Sequence, residues 1–90
     1  MTEHDLRSAM LTTIRLVGMS TSRDEKVMLS FAVWVMAATI MQQHNCIGLP
    51  ERDLLSMIMD DGYRAQMVDQ VERFGPLEAA KIVMGMGPNQ

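Results

Sequence analysis

The hydrophobic residues at the start of the chain recur at the spacing of an α-helix. Leu6, Met10 and Ile14 are four positions apart, and Val17 follows three positions later. Residues three or four apart lie on one side of a helix, so these residues and Ala9 form a single apolar stripe, which Leu11 and Leu16 widen. We therefore predict a first helix over residues 3–17 that ends at Gly18, because glycine is a weak helix former.

The second hydrophobic segment, residues 27–41, contains no charged residue. Ser22 is followed three positions later by Glu25, which matches a capping box, so the pattern predicts a helix over about residues 22–44. A β-strand is disfavoured because the segment is too long for one strand and has no internal turn residue. A helix that is apolar on all sides has no face suited to water. We expect it to be enclosed by neighbouring helices or by another chain.

The same segment is too short to span a lipid bilayer. As a helix rising about 1.5 Å per residue it would extend about 22 Å, against a hydrocarbon core of about 30 Å. It also includes Ser30 and Thr39, which lower its tendency to insert into a membrane. The pattern therefore favours a buried helix of a soluble protein over a membrane segment.

The second half of the chain predicts shorter helices, separated by residues 60–62 and by Gly75–Pro76. Pro50 suits the first turn of the third helix. The apolar positions assigned to helices three, four and five are, in order, Leu54, Leu55, Ile58 and Met59; Tyr63, Met67, Val71 and Phe74; Leu77, Ala80, Val83 and Met84. Residues 85–90 are expected to fray. The predicted fold is all-α, a compact single-domain bundle of four or five helices around a central apolar helix.

Composition restricts the function classes. The chain has 90 residues and a formal charge of −3, with a pI near 5.2, so it has no long-range attraction for nucleic acid or anionic lipid. Its one cysteine, Cys46, allows no internal disulfide, and residues 1–5 lack the basic and then apolar pattern of a secretory signal. We expect a cytoplasmic protein.

The residue types that could support catalysis or metal binding are few. His44 and Cys46 are two positions apart, but a structural zinc site requires four ligands, and no orienting residue for a Cys–His catalytic pair is evident. Asp60 and Asp61 precede Gly62 as in a calcium loop, yet the alternating oxygen ligands of such a loop are missing. We predict no cofactor, no metal and no enzymatic activity.

A helix-turn-helix is an alternative interpretation of helices three and four. In it, the helix over residues 63–74 would read DNA, as in a transcriptional regulator. The polar side chains of that helix are Arg64, Gln66, Asp69, Gln70, Glu72 and Arg73. This set mixes both charges, and its acids would face phosphates. Nucleic acid is therefore the weaker hypothesis.

The leading hypothesis is a small regulatory or adaptor protein that binds another protein, including a copy of itself as a homodimer. The chain contains 11 methionines, which are flexible and suit adaptable recognition surfaces, although they also serve as core filler. Short helices with one stripe each cannot cover an all-apolar helix completely, so we expect a leftover apolar patch. The interface residues we predict are Phe31, Trp34, Val35, Met41 and Met67.

Overall fold

A computed structural model of the chain describes residues 2–46 and 54–85. The five helices within these ranges are α1 (Glu3–Met19), α2 (Arg23–Gln43), α3 (Leu54–Met59), α4 (Asp61–Arg73) and α5 (Pro76–Val83). The described ranges contain no β-strand, so the predicted all-α bundle is confirmed. The predicted start of the third helix, at residues 50–53, and the tail from residue 86 lie outside the described residues.

Side chains satisfy free backbone N–H groups at the starts of α1 and α2. Ser22 Oγ accepts from the Glu25 amide at 3.3 Å, as the predicted cap of α2 requires. A complete capping box occurs instead at the start of α1, where Thr2 and Asp5 each accept from the other's backbone amide at 3.1 Å. These caps set the first residues of α1 and α2.

The segment at residues 60–62, predicted as a break, is where α4 begins. Asp60 is its N-cap and accepts from the Tyr63 amide at 2.8 Å. Asp60 alone separates α3 from α4, and Gly62 lies inside the helix. Pro76 occupies the first turn of α5, where its missing N–H costs nothing.

The end of α2 is closed by a Schellman motif. Asn45 has a φ of 57°, the left-handed conformation that asparagine tolerates. This geometry lets the Cys46 amide donate to the Met41 carbonyl at 2.9 Å and the Asn45 amide donate to the Gln42 carbonyl at 3.0 Å. The last carbonyls of α2 are thereby satisfied.

Gly18 does not end α1 as predicted, because the helix continues to Met19. The guanidinium of Arg64 on α4 lies directly against this glycine. A Cβ atom at position 18 would be 2.9 Å from Arg64 Nη2 and 3.0 Å from Nε. Gly18 therefore allows α1 and the buried arginine of α4 to approach closely.

The core is formed by the inward sides of all five helices. Of the predicted stripe of α1, Leu6, Met10, Ile14 and Val17 are buried, whereas Leu16 at its edge is 43% exposed. The buried hydrophobic residues are Leu6, Met10, Ile14, Val17, Val33, Ala37, Ile40, Met41, Ile58, Met67, Val71, Ala79, Ala80, Ile82, Val83 and Met84. Leu55 and Phe74, predicted on buried stripes, are instead about one-third exposed, at 37% and 36%.

The helix contacts determine which side of α2 is covered. α1 packs against all four other helices, whereas α2 packs against α1, α3 and α5 and makes no contact with α4. Among the described helices, α2 is thus covered on its inward side only. None of the helices in the described ranges is long and apolar enough to cross a membrane.

Arg7 links α1 to the end of α4 through side-chain hydrogen bonds. Its Nε donates to the Phe74 carbonyl at 2.8 Å, and its Nη2 donates to the carbonyls of Val71 and Glu72 at 2.8 and 3.0 Å. The last carbonyls of a helix lack intrahelical partners and carry partial negative charge, so a guanidinium is well suited to them. Arg15, two turns further along α1, forms an ion pair with the Glu72 carboxylate.

Candidate functional site

The side of α2 that points away from the core carries exposed hydrophobic side chains. Met28 is 73% exposed, Phe31 50% and Val35 44%, and Val27 borders them. Ala38, one turn beyond Val35, is half-buried. We call these five residues the outer face of α2. Exposed apolar side chains thus remain on α2, the helix on which the sequence pattern predicts a leftover apolar patch.

The outer face follows from the even distribution of apolar residues around α2. The side chains that α2 buries are Ser30, Val33, Ala37, Ile40 and Met41, which share one side of the helix. The opposite side is equally apolar in composition but meets no other helix among the described residues. Packing against α1, α3 and α5 therefore buries one of the two apolar sides of α2.

Trp34 lies at the margin of the outer face and supports Phe31. It is half-buried, and its body packs against the core cluster. The Phe31 and Trp34 rings are 5.1 Å apart between centroids and tilted by 59°, a favourable aromatic geometry. The Trp34 ring therefore restrains the exposed Phe31 ring on the surface.

Two of the five predicted interface residues, Met41 and Met67, are core residues. Met41 is fully buried and Met67 is 1% exposed, so neither is on the surface of the folded chain. Of the predicted set, the structure brings together Phe31, Trp34 and Val35. The methionine that is exposed beside them is Met28.

Met28 and Val27 were not among the predicted interface residues. A signal for Met28 was present, because positions 28, 31, 35 and 38 follow the alternating three- and four-residue spacing of a helix–helix contact. That spacing was hidden because an equally apolar stripe, centred on Val33 and Ala37, runs along the opposite side.

His44 and Cys46 each contact other parts of the chain near the end of α2. The His44 imidazole contacts the Glu3 carboxylate, so it joins the end of α2 to the start of α1. The Cys46 thiol donates to the backbone carbonyl of His44 at 3.6 Å. Within the described ranges no three His, Cys, Asp or Glu side chains are grouped as metal ligands would be.

Asp60 and Asp61 have separate structural partners. Asp60 caps α4, and the Asp61 carboxylate pairs with the Arg64 guanidinium. The hydrogen bond from Arg64, together with its positive charge, holds the pKa of Asp61 below its ordinary value. The Asp61 carboxylate is therefore ionised at neutral pH, as an ordinary aspartate is, and it accepts the hydrogen bond that Arg64 donates.

The arginines of α4 bear on the helix-turn-helix alternative. Arg64 is only 8% exposed and donates to the Ile58 carbonyl at 3.0 Å as well as to Asp61. Arg73 is exposed but pairs with Asp69, four positions earlier, at 3.1 Å. Arg64 is thus committed to the fold and is not presented to phosphates.

A shallow depression of about 410 Å³ lies between the end of α1 and α4. It is lined by Arg15, Met19, Asp61, Arg64, Ala65 and Val68. Its charged groups are already paired, Asp61 with Arg64 and Arg15 with Glu72. The depression therefore offers a mainly apolar, open surface without converging polar groups of the kind that orient a substrate.

Comparison of the chain with protein-family models, curated proteins and solved structures finds no match. Functional inference therefore depends on the outer face of α2.

Proposed function

We propose that this protein acts by binding another protein through the outer face of α2, as a small regulator or adaptor without catalytic activity. The observation that supports the proposal is the row of exposed apolar side chains at Met28, Phe31 and Val35. Contiguous apolar surface on a folded chain is typical of an interaction site. The lone cysteine, Cys46, agrees with a cytoplasmic location, which we include in the proposal.

The energy available from the outer face limits the kind of partner. Complete burial of a side chain of this size contributes about 1.5–3 kcal/mol, and roughly half of that remains to be gained at Met28, Phe31 and Val35. Burying these three side chains would contribute about 2–5 kcal/mol in total. Association costs about 4–15 kcal/mol, so this contribution does not clearly exceed the cost. The partner must therefore bring an apolar surface of its own.

Site-specific photo-crosslinking in the native host tests the proposal. A benzophenone amino acid replaces Met28 in one variant and Gln66, an exposed residue of α4, in the matched control. We expect discrete protein adducts from position 28 only. Adding Val35→Asp to the position-28 variant should abolish them, because a carboxylate cannot be buried without a partner.

The Val35→Asp variant should remain folded, since Val35 is 44% exposed and its side chain can stay in water. Far-UV circular dichroism and the urea midpoint check this. If position 28 yields no adduct, or yields adducts that persist with Val35→Asp, the outer face is not a protein-binding site.

A further inference from the structure

The outer face of α2 has the residue spacing of a coiled-coil seam. Along its middle line, positions 24, 28, 31, 35, 38 and 42 alternate steps of four and three. These positions carry Asp24, Met28, Phe31, Val35, Ala38 and Gln42, and each of them is exposed or half-buried. Of the positions on either side of the line, Val27, Ala32, Trp34 and Thr39 are uncharged, whereas Glu25 at the first turn carries a charge and Met41 at the last turn is buried in the core. A seam of this kind accepts a helix lying lengthwise along α2.

The seam is complementary to itself when one helix is reversed. Reversal about Val33 exchanges Phe31 with Val35 and Met28 with Ala38. Each layer then pairs a larger side chain with a smaller one, as interdigitated packing requires. At each end, Asp24 of one helix meets Gln42 of the other, where the Gln42 amide can donate to the carboxylate.

We infer that the partner on the outer face is α2 of a second copy of this chain, packed antiparallel about a two-fold axis at the level of Val33. This inference rests on the proposed function and names its partner. Two-fold dimers are the commonest closed assemblies, and in them the same surface meets its copy. The two copies together double the apolar area offered, which meets the requirement that the partner be apolar.

Charge and dipole favour the antiparallel direction over the parallel one. In a parallel pair, Asp24 would face the partner's Asp24, and the two helix dipoles would point the same way. The layers would also match Phe31 with the partner's Phe31 and Ala38 with the partner's Ala38, which crowds one layer and leaves a gap in the next. Reversal removes the like-charge contact and evens the layers.

The first experiment measures the oligomeric state of the full chain by size-exclusion chromatography with light scattering from nanomolar to micromolar concentration. We expect a monomer–dimer equilibrium. Phe31→Asp should raise the dimer dissociation constant by about 30-fold or more, the effect of losing a central binding residue. The matched control is Phe74→Asp, the same substitution at the other phenylalanine, which is also partly exposed but lies beyond the end of α4.

The second experiment measures the direction of the pair. A nitroxide label replaces Gln43, which is exposed and off the seam, in a chain whose native thiol is removed by Cys46→Ser. Gln43 lies ten positions from Val33, so the antiparallel pair separates the two labelled backbones by about 30 Å, whereas a parallel pair brings them to about 10 Å. Pulsed electron paramagnetic resonance distinguishes the two distances.

The outcomes separate this inference from the proposed function. The antiparallel pair is supported if the chain forms a dimer with the long label distance, Phe31→Asp dissociates this dimer and Phe74→Asp preserves it. A dimer with the short distance, or one that Phe31→Asp leaves intact, overturns it. A strictly monomeric chain also overturns it, and in that case adducts from position 28 to a different protein still support the proposed function. Monomeric behaviour together with an absence of adducts refutes both.

Discussion

Replacing Arg7 should destabilise the fold more than its position on the protein surface suggests. The Arg7 side chain donates three hydrogen bonds to carbonyls at the end of α4, of which the bond to Val71 is part-buried and those to Glu72 and Phe74 are exposed. A bond from a charged donor contributes about 1.5–3 kcal/mol when shielded and less in water, and a cation at a helix C-terminus adds about 0.3–1 kcal/mol. We therefore expect Arg7→Gln to lower the free energy of unfolding by about 2 kcal/mol.

The assay is urea unfolding followed by far-UV circular dichroism at one fixed protein concentration, because dimerisation would make the midpoint depend on concentration. With a slope of about 1–2 kcal/mol per M urea, the expected loss moves the midpoint down by about 1–2 M. Arg7→Lys should recover only part of the loss, since one ammonium group cannot reach carbonyls of three residues as the planar guanidinium does.

Arg15→Gln is the matched control, because Arg15 lies on the same helix and contacts the same Glu72. Its ion pair joins side chains that are 52% and 46% exposed, and such pairs contribute about 0–1 kcal/mol. If the two glutamine variants unfold within about 0.5 kcal/mol of each other, the capping role assigned to Arg7 is wrong.

Three further predictions concern α4 and its contacts. A Gly→Ala change usually stabilises a helix by about 1 kcal/mol, but Gly18→Ala should destabilise α1 because the added Cβ meets the Arg64 guanidinium. The same change in an Arg64→Met background should stabilise the fold. If urea unfolding shows that the Gly18→Ala single variant is stabilised, the contact with Arg64 is contradicted. The pKa of Asp61 is lowered by its hydrogen bond from Arg64, so its contribution is present at neutral pH and is lost as pH falls below about 4, through the folded-state pKa. Asp61→Asn should accordingly flatten the fall of the urea midpoint in acid, and an unchanged acid profile would show that the pair contributes nothing. In fluorescence anisotropy the chain should not bind mixed duplex DNA at about 50 mM salt; binding that weakens as salt rises and is lost in Arg73→Gln would instead favour the helix-turn-helix alternative.

Much of the secondary structure was predictable because it depends on neighbouring residues. The first residue of α1, the cap of α2 at Ser22 and the first-turn proline of α5, Pro76, follow from local hydrogen bonding and backbone restriction. The middle line of the α1 stripe, Leu6, Met10, Ile14 and Val17, is buried as its spacing predicts. Helical periodicity relates residues three and four apart, so it locates helices and the buried side of any helix that is apolar on one side only.

Which side of α2 is buried could not be predicted in this way. Its apolar residues surround the axis, so no periodicity distinguishes Met41, which is buried, from Met28, which is exposed. Only the positions of α1, α3 and α5 determine which side is covered. The predicted interface was therefore drawn from both sides of the helix.

The amino-acid pattern alone determined that this chain is helical and holds more apolar surface on α2 than its short companion helices can cover. The tertiary structure alone decided where that surface lies. It also showed that Arg7 binds carbonyls at the distant end of α4 and that the Arg64 side chain is buried. The physical reason is that helix formation is a local property of the chain, whereas burial depends on which distant segments pack together. Those long-range contacts leave Phe31 and Val35 exposed, and on them both functional proposals depend.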